Sequence, residues 1–282
     1  MRTSTSGPAV RRKVSSSSEV DGPMPDIVGQ RRARQRRPRP MLSGSSPSTS
    51  LSAEQLLERF SSGSTRQRRS LIPTLESRAG EIAALGSAAL AAFDPAGDAW
   101  EAGWLLQVLQ RHQPQVLPAL LGARDGWFQA PSSVGIDYGP LQRDLLAERF
   151  EDADRSTSAI LRRLAGAEAE RRGYVYFSEV PAMPGQDLVT LDRLWLAYSQ
   201  GRFGFTVQAR LLEGLNGRYD RLWPRIGWKL DGVWTRYPGA FDWSITAPEG
   251  HMPLINQLRG VRLMDAILNH PSLLARRSSS TR

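Results

Sequence analysis

The chain has 282 residues and 40% hydrophobic content, enough for one or two domains with a packed core. It contains no cysteine, which excludes disulfide frameworks, thiolate metal sites and thiol nucleophiles. The formal charge of +9 is concentrated at one end, where residues 1–48 carry ten basic side chains against three acids, so a field that attracts polyanions belongs to that tail alone.

Residues 1–50 are Ser, Pro, Gly and Arg with few large apolar side chains, which predicts a disordered basic tail. Its run from Arg31 to Pro40 suits anionic lipid headgroups or nucleic acid, and the plain alternative is a solvated tail. The tail's acid-poor composition resembles an organellar transit peptide but lacks that class's helical amphipathicity. Ser52 followed by Gln55 reads as a capping-box start, with Leu51, Leu56, Leu57 and Phe60 as an apolar stripe. Periodic segments follow at roughly 66–78, 80–93, 99–111, 114–121 and 141–149, predicting a helical bundle domain over 51–165. The longest apolar run, Ile82 to Phe93, is well short of the about 20 residues that span a bilayer. Ala123 to Pro140 reads as a loop carrying Trp127, Phe128 and Tyr138.

A helix over about 156–172 is expected to link two modules and to end at Gly173, which suits a left-handed cap. The proline-punctuated stretch that follows opens a second domain over 173–276. Within it Leu188, Leu191, Leu194, Trp195 and Tyr198 repeat at helical spacing, Gly201 stops that helix, and another restarts near Thr206. Asp231-Gly232 predicts a tight reversal between two short extended runs. Leu254 to Leu268 is expected as one helix, limited by Pro271. The expected fold class is all-α, an N-terminal bundle plus a C-terminal helical domain with long loops.

Common catalytic signatures are missing. No phosphate loop and no GxSxG elbow occurs, and His112, His251 and His270 are scattered without metal-ligand spacing. Asp192 and Glu249 have no spacing that makes them an acid/base pair, so an enzyme is not expected. Aromatic density is the positive signal: five of the eight tryptophans lie between Trp195 and Trp243. Helical period assigns Trp195 and Phe205 to a core, whereas Trp228 and Trp234 flank a glycine-bearing turn and are candidates to hold something flat.

The runs LDRLWLAYSQGRFGFTVQ, IGWKLDGVW and AFDWSITAPEGHMP, in that order over about 187–253, resemble the genomes-uncoupled-four family of porphyrin-binding activators of magnesium chelatase. FGFTVQ (Phe203 to Gln208), IGW (Ile226 to Trp228) and APEGHMP (Ala247 to Pro253) follow the family's pattern, with conservative changes at Thr206, Ile226 and Met252. Trp243 stands where the family more often has phenylalanine. The cyanobacterial members are similar to this chain in placing a helical bundle before the porphyrin-binding domain. The resemblance implies a non-catalytic protein that binds protoporphyrin IX and Mg-protoporphyrin IX and stimulates magnesium chelatase through its large porphyrin-binding subunit. It also implies a monomer in the cyanobacterial cytosol, with peripheral membrane contact at the thylakoid, or in a plastid if the source is eukaryotic, and no specific nucleic acid partner. The competing reading is an RNA- or membrane-surface adaptor acting through residues 1–48.

A porphyrin is a flat apolar disc with two propionates on one edge, so its site needs a greasy wall and a few cations at the rim. Arginine suits the rim because its planar fork holds a carboxylate through two hydrogen bonds. Arg259 and Arg262 stand three apart and share a helix face. The family's binding loop resembles this segment, which makes both expected propionate contacts; the alternative is a solvated surface pair. Arg225 is a lesser candidate cation, and Phe203, Phe205, Trp228 and Trp234 are the candidate ring contacts, with plain core packing the alternative for the phenylalanines. His251 offers an axial ligand for magnesium, although a histidine placed after Gly250 is better suited to bonding nearby backbone.

Overall fold

The computed structural model describes residues 51–121, 126–255 and 261–280. The expected disordered tail over 1–50, and Arg259, lie outside the described residues. The first half contains α1 (Ala53–Ser62), α2 (Thr65–Ser77), α3 (Ala79–Leu90), α4 (Trp100–His112), α5 (Leu117–Leu121), α6 (Gly139–Leu146), α7 (Phe150–Ala165) and α8 (Ala167–Arg172). The second half contains α9 (Gly185–Tyr198), α10 (Phe205–Gly214), α11 (Tyr219–Arg225), a hairpin of β1 (Lys229–Leu230) and β2 (Val233–Trp234), α12 (Val261–Leu268) and α13 (Pro271–Ser280). The protein is all-α, with that one hairpin turning through Asp231-Gly232 as expected.

Capping starts α1 as the sequence dictates. The Gln55 amide donates to Ser52 Oγ at 3.2 Å, and the Ser52 amide donates back to Gln55 Oε1 at 3.0 Å. Leu56, Leu57 and Phe60 of that helix face the core. Helix α4 is buried from Trp100 to Leu109, all but its last turn, because α3, α6 and α9 all pack on it. Its approach to α9 depends on Gly103, where a Cβ would stand 1.9 Å from the Ala197 carbonyl oxygen. At the end of α4's inner face, Gln107 Nε2 donates to the carbonyls of Tyr198 (2.8 Å) and Leu145 (3.1 Å), tying three helices together.

Residues Ser50–Arg282 form one compact unit, and the buried side chains from α1 to α13 make one continuous core. The division expected between 51–165 and 173–276 is therefore not a break in packing. Phe150 of α7 stacks on Trp195 of α9 at 6.2 Å, and Arg276 of α13 reaches both Asp192 of α9 (2.8 Å) and Asp98 before α4.

Two expected helices are redrawn, and Pro271 limits the second of them as expected. The helix expected over 156–172 begins at Phe150 and breaks at Gly166, whose φ of 104° belongs to glycine, before α8 ends at Gly173 in the left-handed region as expected. Of the helix expected from Leu254 to Leu268, the described helical part is Val261–Leu268; Leu254 and Ile255 precede it in irregular chain, with the Leu254 amide donated to Asp154. Pro271 opens α13, since a proline in the first helical turn gives up no hydrogen bond. No helix among the described residues is long and apolar enough to cross a membrane.

Candidate functional site

The site is built on a rigid floor. Phe203 meets Phe150 edge-on at 5.7 Å, and Trp195 Nε1 donates to Thr157 Oγ1 at 2.9 Å, fixing α7 against α9. The chain enters α10 through Gly204, whose φ of 132° and closeness to Asp192 Oδ1 (2.9 Å from a hypothetical Cβ) exclude a side chain. The Gly204 amide donates to the Met252 carbonyl at 3.0 Å. Gln208 Nε2 donates to the carbonyls of Gly250 (3.0 Å) and Pro253 (2.9 Å), and the Leu254 amide donates to Asp154 Oδ1 at 2.6 Å. Side chains of α10 and α7 thus hold the irregular backbone over 250–254 in place.

Beside this held segment lies a hollow of about 500 Å³ between α7, residues 173–175, Tyr237, Leu254, Ile255 and α12. That size falls within the roughly 300–1,000 Å³ of small-molecule sites. Leu161, Val175, Leu254, Ile255, Leu263 and Ile267 make its walls apolar, while Asp154, Arg155, Ser158 and Arg162 enter from α7. The spacing 154, 155, 158, 161, 162 puts these α7 residues on one helix face. An adjoining hollow of about 210 Å³, sharing Val175 and Leu263, is lined by Tyr176, Phe177 and Arg262.

Three guanidinium groups border this space. Arg262 is exposed, with its guanidinium carbon 5.4 Å from the Phe177 ring centroid. Arg162 is half-buried, and no ion pair among the described residues engages it. Arg155 bonds Glu151 and also Asp152 at 3.3 Å. Nearby Arg172 lies over the rings of Tyr176 (4.1 Å) and Tyr174 (4.8 Å) and bonds Glu179 at 2.8 Å. Asp154 is 1% exposed, and among the described residues its Oδ2 has no hydrogen-bond partner. Burial pushes its carboxyl up to about 7, against the pull of the Leu254 amide, Tyr237 and Arg155.

Of the candidate ligand contacts named from the sequence, only Arg262 borders these hollows among the described residues. Phe203, Phe205 and Trp228, named as candidate ring contacts, are completely buried among core neighbours, as helical period expects for Phe205, and line neither hollow; Trp228 stacks on Trp223 at 5.6 Å. His251 is also buried. Its Nδ1–H donates to the Ile226 carbonyl at 2.6 Å, while burial lowers its pKa. Backbone support is its role, and Trp228 Nε1 donates to the His251 carbonyl at 2.8 Å in the same network. Trp234 is 40% exposed on the hairpin, 5.5 Å from Trp223, and Arg225 is exposed at the end of α11; neither lines the hollow. Asp192 is buried against Arg276 and Thr206, and Glu249 pairs with Arg210. No cluster of metal-ligating side chains occurs among the described residues.

Arg155, Arg162 and Asp154 were missed because α7 reads as a linker in sequence. One signal was available: Asp154 shares the stripe of Phe150, Thr157 and Leu161, where an acid is out of place.

The sequence model of the GUN4-like family matches residues 131–271. A Ycf53-like protein of Synechocystis is 48% identical over 146 residues, 52% of this chain and 63% of its own length. A chloroplastic tetrapyrrole-binding protein of Arabidopsis thaliana is 35% identical over 144 residues, 48% of this chain and 54% of its own length. GUN4 of Chlamydomonas reinhardtii is similar in structure at a TM-score of 0.49 and 38% identity, over 52% of this chain and 93% of that one. The chain spans between 54% and 63% of the length of the curated relatives it matches.

Proposed function

This chain belongs to the GUN4-like family, and from that membership we propose that it is a non-catalytic tetrapyrrole-binding protein. Its ligands are protoporphyrin IX and Mg-protoporphyrin IX, held without covalent bonds, and its role is to stimulate magnesium chelatase by presenting the ring to the chelatase's large subunit. The compartment that fits the cyanobacterial and chloroplastic relatives is a cyanobacterial cell or a plastid.

The observation that carries the reading is the apolar hollow between α7 and α12 with arginines beside it. An apolar disc gains by leaving water for walls such as Leu161, Ile255, Leu263 and Ile267. Its anionic edge gains by meeting Arg162 and Arg262 rather than apolar wall. Arg259 remains a proposed partner of Arg262 on the grounds of sequence alone.

Titration of the full chain with soluble deuteroporphyrin, followed by the Soret band and tryptophan quenching, tests this. Saturable binding is expected, abolished by Leu263→Glu and weakened about tenfold or more by Arg162→Ala or Arg262→Ala, the loss expected for a charged hydrogen bond. Deleting residues 1–48 should leave it intact. Absence of any Soret shift with the intact chain contradicts the reading.

A further inference from the structure

The buried carboxyl of Asp154 has no task in holding an anionic disc, since it repels propionates. Its environment is specific. On α7 it is flanked by Glu151 and Arg155, the latter already engaged by Glu151 and Asp152. The Tyr237 side chain stands beside it from the stretch after β2, and the Leu254 amide bonds Oδ1. Residues 173–175 bring Tyr174 to the same hollow, Arg162 enters it further along α7, and among the described residues α12 brings Leu263 and Ile267, with Arg262 bordering the adjoining hollow. One oxygen is therefore satisfied and the other, Oδ2, is buried in the wall without a partner among the described residues.

We propose that Asp154 makes this site proton-linked, so that seating a tetrapyrrole in the hollow is accompanied by uptake of a proton onto the Asp154 carboxyl. The proposal rests on the tetrapyrrole reading above and adds how the site is regulated. Two effects act in the same direction. An apolar ring seated over the wall keeps bulk water further from the carboxyl, which penalises the charged carboxylate more than the neutral acid. The propionates bring negative charge nearby, which also favours the neutral acid. With the carboxyl already held near 7 in the empty protein, binding raises it further. Affinity is then greatest below pH 7 and falls as pH rises through 7, by at most about tenfold per pH unit.

Calorimetric titration of the full chain with metal-free deuteroporphyrin, in buffers of low and high ionisation enthalpy, counts the protons directly. At pH 7 the wild-type protein should take up about half a proton per ring, the fraction missing from a group at its own pKa. Asp154→Asn, whose amide oxygen still accepts from the Leu254 amide, should take up none and bind with an affinity flat between pH 6 and 8.5. Tyr237→Phe provides a second route should Asp154→Asn fold poorly: removing the hydroxyl beside the carboxylate should move the midpoint of the wild-type pH profile upward. Equal proton counts in wild type and Asp154→Asn, a Tyr237→Phe midpoint that stays put, or proton release by the wild type overturn the proposal while leaving the binding reading standing. Failure of the wild type to bind at any pH overturns both.

Discussion

Asp154 illustrates how far a single residue can be read. Its place on the Phe150–Thr157–Leu161 stripe follows from helical period, but its value near 7 follows from burial in the folded chain, opposed by the hydrogen bond from the Leu254 amide 100 positions away. The folded protein holds this proton more tightly than the unfolded chain, whose carboxyl has the ordinary value of 3.8. Stability from this group is thus full below pH about 4 and is lost as pH rises through 7. At about 1.4 kcal/mol per unit the loss is on the order of 4 kcal/mol by pH 8. Asp154→Asn should therefore melt at a higher temperature than wild type at pH 8 and at nearly the same temperature at pH 4; a lower melting temperature at pH 8 contradicts this. The aromatic residues show the opposite limit. Helical period places Phe205 in the core, where it lies, whereas for Trp228 beside a glycine-bearing turn the sequence does not say whether the ring faces a core or a cavity. Arg262, which borders the hollow, was singled out through a resemblance to a family segment, whereas Arg162 belongs to no motif and becomes notable only because α12 lines the same hollow.

At the scale of elements, local signals located most helices well. Ser52 and Gln55 start α1, and Gly173 ends α8, because caps and left-handed glycines act within a few residues. Helix α13 escaped notice since its PSLLARRSSS sequence has a weak apolar stripe and is held by tertiary contacts, among them Arg276 to Asp192 and Asp98. Helix crossings are invisible in the sequence for the same reason, and glycines make them testable. Gly103→Ala drives a methyl group into the Ala197 carbonyl and should destabilise by about 3 kcal/mol or more, as overpacking against backbone does. Gly80→Ala in α3 meets nothing within 4 Å and should be neutral or stabilising by up to about 1 kcal/mol. Chemical denaturation of both variants checks the pair, and an unaffected Gly103→Ala refutes the close approach of α4 and α9.

For the compact unit from Ser50 to Arg282, the sequence foretold two helical domains, and the core runs through both. Composition changes along the chain, but side chains such as Gln107 and Arg276 join distant segments, and no sequence pattern announces such ties. Near- and far-ultraviolet circular dichroism should consequently trace one coincident thermal transition; two separated transitions contradict a shared core. The hollow itself is a property of this whole assembly, formed where α7, the 173–175 stretch, the 254–255 segment and α12 meet. A crystal structure of the full chain with deuteroporphyrin bound is the most direct test of the account. It should place the ring between α7 and α12, with propionates toward Arg162 and Arg262, and a ring stacked instead on Trp234 of the hairpin, with the α7–α12 hollow empty, would contradict it.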